Sequence, residues 1–400
     1  MSDSIMHTYA RLPVEFHRGE GAWLYGTPTG QREERRYLDA LGGIAVCALG
    51  HAHPNVTAAI CEQAGRLMHT SNLYGIGNQV RLARRLTEIA GMDAAFFSNS
   101  GAEANEAAIK MARKFGRSKG IDVPTIIVME GSFHGRTLAT LSATGNRKVQ
   151  SGFEPLVQGF LRVPYGDLEA VRKVAEGVNG VVAVLVEPIT GEGGIHIPPA
   201  GYLKGLREIC DARNWLLMLD EIQTGMGRTG RWFACGHENV LPDVLTCAKA
   251  LGNGMPIGAC MARGMAADIL QPGNHGSTFG GNPLAAAAAL AVVETIASQD
   301  LVTGAGRLGA LLLRRLRTEL EDVAGVREIR GKGLMLGIEL DRSCGELVQK
   351  ALDAGLLINV TAGNVIRLLP PYIFDEEQTH QLVRTLSRLI RDFLSENTAT

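Results

Sequence analysis

Three apolar runs in this 400-residue sequence are followed at once by residues that can carry charge: VVAVLV by Glu187, WLLML by Asp220 and Glu221, and DVLTCA by Lys249. Ligands of open parallel sheets sit beyond the carboxyl ends of the strands, so two acids and a lysine in those positions would share one rim. The stretch between Asp220 and Lys249 is long enough for a loop or helix and a return strand. Lys249 lies among Cys247, Ala248, Ala250 and Leu251, ahead of the glycine-rich GNGMPIG. A lysine in apolar surroundings gives up its proton more readily and becomes a nucleophile for carbonyl groups. A solvated surface lysine is the ordinary alternative. The run SNSGAEANEAAIKMARKF sets Ser98, Ser100 and Gly101 before a helix. Free N–H groups and the positive end of the helix dipole make such a terminus an anion site. Ser100 with Glu103 is equally a plain N-cap with its first-turn acid, Asp220 alone could be a helix cap, and Glu187 alone a salt-bridge partner.

Together these positions answer to one cofactor. Pyridoxal 5′-phosphate needs an amine for its aldehyde, a cup for its phosphate and a carboxylate that keeps its ring nitrogen protonated. Lys249, Ser100-Gly101-Ala102 and Asp220 supply them in that order. Other chemistries find less support. GNGMPIG lacks the GxGxxG spacing of a dinucleotide site, and no GxxxxGK phosphate loop is present. His51 and His53 form an HxH pair without a third ligand, so a packed turn before Pro54 is expected there, and no metal.

These positions need a scaffold that brings them to one place. Short apolar runs at 95–98, 125–129, 181–186, 215–219, 244–247 and 257–261 alternate with helical patterns, such as Ala104, Ala107, Ala108, Met111, Ala112 and Phe115, or Leu203, Leu206, Ile209 and Cys210. Nearly continuous apolar strands separated by helices predict an α/β protein with a mostly parallel sheet covered on both faces. After Asn282-Pro283 the texture changes to helices over 284–298 and 301–324, strand-like pieces over 334–340, 356–360 and 365–369, and a final helix from Glu376 to about Ser395. The expected division is an N-terminal segment, 1–55, that completes a smaller domain; a large cofactor-binding α/β domain, 56–283; and a small α+β domain, 284–400. Lys+Arg 40 against Asp+Glu 41 leaves no basic footprint for nucleic acid, and 46% hydrophobic with 20% charged residues excludes disorder. The longest apolar stretch, 284–293, falls short of the roughly 20 residues that span a bilayer, so no membrane partner is expected. MSDSIMHTYARLPVEF has no apolar leader pattern, and the 7 cysteines are scattered, which together predict a cytoplasmic chain with reduced core thiols.

YLDALGGIAVCALGHAHP, FFSNSGAEANEAAIK, GSFHGRT, EPITGEGG, LDEIQTGMGRTG, CAKALGNGMPIGA, GSTFGGNP and IRLLPP, spread from about Gly21 to the C-terminal helix, resemble the class III aminotransferases of pyridoxal-phosphate fold type I. The resemblance implies a large domain with a mostly parallel seven-stranded sheet and a smaller α+β domain. It implies that Lys249 holds the cofactor aldehyde and moves the proton between substrate carbon and cofactor. Asp220 would pair with the ring nitrogen, Gln223 donate to the ring hydroxyl and Phe133 stack on the ring, while Ser100, Gly101 and Ala102 take the phosphate. Thr278 would reach the phosphate of a neighbouring subunit, which makes the expected assembly a homodimer with active sites at its interface. Arg136 and Arg367 would bind substrate carboxylates, Glu192 would be the movable acid that neutralises Arg367, and Ser277 would contact an acylated ornithine. Beside Phe133, His134 would have a positioning role. At the two N-terminal positions where ornithine δ-aminotransferases carry tyrosines, this sequence has Trp23 and Ile44, which favours an N-acylated donor. The implied reaction takes the ω-amine of N-acetylornithine to 2-oxoglutarate, giving glutamate, as a step of arginine biosynthesis with ping-pong kinetics. Succinylornithine, succinyl-diaminopimelate, ornithine and 4-aminobutyrate are alternative donors, and a binding protein of the same fold without turnover is the non-enzyme alternative.

Overall fold

Every residue of the strands Val181–Val186 and Leu216–Asp220 is buried, as strands covered on both faces must be. They lie at the centre of a seven-stranded sheet in the computed structural model, which describes residues 4–396. Across the sheet the order is Ala94–Ser98, Gly258–Ala262, Val244–Cys247, Leu216–Asp220, Val181–Val186, Thr125–Met129 and Phe160–Val163. Gly258–Ala262 runs antiparallel to both neighbours and all other pairs are parallel. Six strands therefore point the same way. Their carboxyl ends bring the segments after Ser98, Met129, Val186, Asp220 and Cys247 to one rim, which is where the candidate residues were expected.

The strand Phe160–Val163 was not among the predicted runs. It forms the edge of the sheet, is only four residues long and carries Arg162, so it shows no continuous apolar signal.

Two further four-stranded sheets lie outside this one. Val14–Glu20, Trp23–Pro28 and Arg35–Asp39 form an antiparallel meander that takes Leu356–Leu357 as its fourth strand, in parallel register with Leu38 and Asp39. Val326–Lys332, Met335–Leu340, Val365–Leu368 and Asn359–Thr361 form the other. The single strand expected over 356–360 is thus two, divided at Ile358 between different sheets. The helix expected over 301–324 ends earlier, as Leu301–Leu320. A turn through Gly325, at φ 97°, then leads into Val326–Lys332, whose sequence VREIRGK is charged at four of seven positions and so shows no strand signal.

The helix Gly101–Ser118 packs on the central sheet. Its start is closed reciprocally, since Ser100 Oγ accepts from the Glu103 N–H at 3.2 Å and the Glu103 carboxylate accepts from the Asn99 N–H at 2.6 Å. Its buried face is Ala104, Ala107, Ala108, Met111, Ala112 and Phe115, with Asn105 set among them. No single helix among the described residues is long and apolar enough to cross a membrane.

Candidate active site

The rim opens on a cavity of about 410 Å³ walled by the N-terminus of the Gly101–Ser118 helix, the Phe133–Arg136 loop, Glu187, Asp220 to Gln223, and Ala248-Lys249. That volume lies in the range of ordinary small-molecule sites.

Lys249 follows strand Val244–Cys247 and takes a left-handed conformation, φ 46°, which directs the chain away from the strand. A non-glycine residue held in this region is the kind of local strain that a surrounding structure must impose. Burial pushes its amine down to about 8 and Arg367 adds to that effect, while the carboxylates of Glu192, Asp220 and Glu187 oppose it. It is the one lysine in the cavity wall.

Asp220 ends its strand fully inside the molecule. Oδ2 accepts from His134 Nδ1 and from Asn105 Nδ2, both at 2.8 Å, and Oδ1 accepts from the Ile222 N–H at 3.1 Å. A carboxylate only accepts, so His134 carries its proton on Nδ1 and leaves Nε2 buried without a partner. Glu187 makes no salt bridge among the described residues. Its two oxygens accept the N–H groups of Phe133 and Gly191, each at 3.0 Å, fixing two rim loops. Burial raises its carboxyl to about 7, helped by Asp220 and opposed by His134.

Arg367 lies on strand Val365–Leu368 of the second outer sheet; it and Glu192 stand behind the cavity wall, which they meet through Gln223. Its Nη1 donates to Glu192 at 2.6 Å and to Gln223 Oε1 at 3.2 Å, and its Nε donates to Asn359 at 3.1 Å. Nη2 is buried and has no hydrogen-bond partner among the described residues. Burial alone would raise the Glu192 carboxyl, but Arg367, aided by Lys249 and Gln223, outweighs it and holds the group below its ordinary value. Gln223 Nε2 donates to Glu192 at 3.3 Å, so in this state the amide serves the Glu192–Arg367 pair. Arg136 is exposed at the cavity mouth, its guanidinium 5.7 Å from the centre of the Phe133 ring, and makes no ion pair among the described residues.

Ser277 and Thr278 line a separate cavity of about 470 Å³ with Lys110, Glu106 and His275, and only Asn99 and its neighbourhood connect it to the first. Ser277 Oγ accepts from the Gly280 N–H at 2.9 Å and from Asn99 Nδ2 at 3.4 Å. Trp23 and Ile44 are outside the Lys249 cavity wall, where Val46 stands instead. Trp23 is covered by Arg36 at 4.0 Å, and Ile44 packs at the edge of the Ala45, Ile189, Ile195, Met335 and Leu369 cluster. His51 is engaged by Asp39 at 2.8 Å, and no group of three metal-ligating side chains occurs among the described residues.

Gly101 has a reason beyond phosphate access. A Cβ there would stand 2.7 Å from Ile222 Cδ1 and 3.0 Å from its Cγ1 and Cγ2. Alanine would gain up to about 1 kcal/mol in helix propensity, but overpacking against Ile222 costs about 1–3 kcal/mol. Gly101→Ala is therefore expected to lower the melting temperature, and Ile222→Val in the same chain to restore part of the loss; thermal unfolding of the three variants checks both.

Asn105 and Thr246 were missed from the sequence. The signal was there in each case, as a polar residue set in an otherwise apolar helix face and in an otherwise apolar strand.

The sequence profile of the family described as Aminotransferase class-III matches residues 5–390. Acetylornithine aminotransferase of Nitrosomonas europaea is 55% identical over 98% of this chain and 98% of its own length. An ornithine aminotransferase of Toxoplasma gondii, whose structure is described with partial occupancy of PLP at its active site, superposes with a TM-score of 0.93 at 36% identity, covering 99% of this chain and 94% of that one. An acetylornithine aminotransferase of Elizabethkingia anophelis superposes with a TM-score of 0.85 at 35% identity, over 97% and 96% of the two chains.

Proposed function

From the premise that this chain belongs to the class-III aminotransferase family, we propose that it moves the ω-amino group of N2-acetyl-L-ornithine to 2-oxoglutarate, giving N-acetyl-L-glutamate 5-semialdehyde and L-glutamate for arginine biosynthesis. Its cofactor is pyridoxal 5′-phosphate, and the residues present fit it: a buried amine of lowered proton affinity, a buried carboxylate, an aromatic ring and a helix N-terminus face one cavity. When bound, that group supplies an aldehyde to take up the amine and a protonated ring that draws electrons from the reacting carbon.

The chain's own residues divide the remaining work. Lys249 Nζ would hold the aldehyde and carry the proton on and off the substrate's reacting carbon. Asp220, oriented by His134, would keep the ring nitrogen protonated. The N–H groups of Gly101 and Ala102, in the first helical turn with no intrahelical acceptor, would receive the phosphate with the Ser100 cap. Phe133 would cover a ring face, and Gln223, now on Glu192 and Arg367, would donate to the ring hydroxyl.

The observation that carries the ω-amine reading is the Glu192–Arg367 pair at 2.6 Å, while the acylated donor is supported by the 55% identical relative. With its arginine neutralised, the site suits an amine on a carbon that bears no carboxylate, which describes the ω-amine of the donor. Glutamate needs Arg367 for its α-carboxylate and Arg136 for the other, so Glu192 must move aside in that half-reaction.

The assembly proposed is a homodimer. Leu67, Met68, Leu73, Tyr74 and Phe279 expose apolar surface, and Asn72 ties the same region to the Ser277 and Gly280 carbonyls at 3.0 and 3.1 Å. This supports a subunit interface that would bring Ser277 and Thr278 to the partner's site. Sedimentation is expected to give twice the 42.8 kDa chain mass. With all 7 cysteines free of disulfides, a cytoplasmic location belongs to the same proposal.

The test is a steady-state donor panel with 2-oxoglutarate as acceptor: N-acetylornithine, succinylornithine, succinyl-diaminopimelate, ornithine and 4-aminobutyrate. N-acetylornithine is expected to give the highest kcat/KM. A higher value for any other donor would replace the substrate assigned here, and a protein that loads the cofactor but turns over none of the donors would remove the enzyme reading.

A further inference from the structure

We infer that Asn105 and Thr246 are positioning residues that hold the Asp220 carboxylate, and through it the cofactor ring, in register with Lys249. The inference rests on the pyridoxal-phosphate reading above.

A continuous buried chain of hydrogen bonds carries it. Thr246 Oγ1 donates to Asn105 Oδ1 at 2.8 Å. Asn105 Nδ2 then donates to Asp220 Oδ2 at 2.8 Å and to the His134 carbonyl at 2.9 Å. His134 Nδ1 closes the chain on the same carboxylate oxygen at 2.8 Å. All four side chains are at most 3% exposed. Only one orientation of the amide satisfies this set, because a flip would press Oδ1 against a carboxylate and a carbonyl. The Thr246 hydroxyl favours the correct orientation by donating to the other end.

The three elements so joined are the three that must agree for the cofactor to sit correctly. Asn105 stands on the helix whose first residues are Gly101 and Ala102. Asp220 ends one central strand, and Thr246 is its register partner on the next, three residues before Lys249. The phosphate end, the ring nitrogen and the aldehyde end are thereby tied through one amide. A polar side chain on the apolar helix face destabilises the fold if left unsatisfied, and here both ends of the amide are used. Mere structural glue would also be satisfied by this chain, so the test needs a readout that glue does not move.

Wild type, Asn105→Leu, Thr246→Val and Thr246→Ser would be compared for melting temperature, for pyridoxal-phosphate dissociation constant by equilibrium dialysis, and for the 15N shift of bound cofactor labelled at the ring nitrogen between pH 6 and 9. In metal sites, losing the group that orients a ligating side chain commonly weakens binding about 10- to 100-fold, and a group that orients Asp220 is expected to act on the same scale. Asn105→Leu and Thr246→Val are accordingly expected to raise the dissociation constant about tenfold or more, and to let the ring nitrogen lose its proton at lower pH. Thr246→Ser is expected to behave as wild type. Thr246→Val removes a single hydroxyl at constant shape, so it decides the matter if Asn105→Leu does not fold. Variants that melt earlier yet match wild type in affinity and 15N titration would overturn the inference alone. A wild type that neither binds the cofactor nor forms glutamate would overturn the reading beneath it.

Discussion

Lys249→Ala is expected to lose at least about 10⁴-fold in kcat, since proton transfer by a positioned base alone contributes roughly 10²–10⁴-fold and the covalent anchor goes with it. Borohydride reduction of the loaded protein should fix the cofactor to wild type at Lys249 and leave the variant unlabelled, as peptide mass spectrometry would read. The reason lies in the surroundings of the amine. At pH 7.5 an amine titrating at about 8 is roughly one quarter neutral, whereas one at the ordinary value of 10.5 is neutral in about one part in a thousand. Burial thus raises the nucleophilic fraction by two orders of magnitude, and no second lysine in the cavity wall can substitute.

The same shift acts on stability. Below about pH 8 the amine is charged in both folded and unfolded protein, and the fold bears the cost of the buried charge. Between about 8 and 10.5 the unfolded chain holds more protons than the folded one, so cofactor-free wild type is expected to gain stability as pH rises through that window. Lys249→Ala should lack this gain. Identical pH profiles of melting temperature for the two cofactor-free proteins would show that Lys249 is not titrating where its burial demands.

The residues around Lys249 were legible in the sequence to different depths. Glu187, Asp220 and Lys249 stood out because each follows an apolar run, and parallel strands bring all such positions to one rim. The site's cofactor half is therefore nearly local information. Arg367 and Glu192 are different. They meet at 2.6 Å across two sheets, one from a loop after a central strand and one from the middle of an outer strand, and only the family resemblance joined them beforehand. Strands without a continuous apolar signal were also hidden. Phe160–Val163 sits at an edge, Val14–Glu20 is largely exposed, and Val326–Lys332 is an edge strand charged at four of seven positions. Asn105 and Thr246 escaped notice because periodicity marks the apolar members of a buried face and passes over the polar residue that the face encloses.

The second large effect is expected at Arg367, and its distinctive feature is asymmetry between the two half-reactions. The guanidinium is fully buried, with Nη1 on Glu192 and Nη2 free of any partner, so a carboxylate arriving at Nη2 would find a donor already held in place by Asn359 and Gln223. Removing one member of a buried hydrogen-bonded charge pair costs about 2–5 kcal/mol. Arg367→Leu should therefore raise the KM for glutamate and for 2-oxoglutarate by about 10²-fold or more. A donor that leaves Arg367 paired with Glu192 loses less. Single-turnover reaction of the loaded enzyme with N-acetylornithine is thus expected to slow far less than the half-reaction with glutamate. Glu192→Gln should shift the balance the other way. The amide keeps a hydrogen-bond acceptor near Nη1 but removes the charge that holds the guanidinium, so an α-carboxylate competes for Arg367 more easily and glutamate gains relative to the ω-amine donor. Stopped-flow rates for both donors on the two variants give four numbers. Opposite displacements of the donor ratio in the two variants are the mark of a neutralised arginine, whereas equal losses in both half-reactions would mean that the pair only holds the outer sheet against the rim.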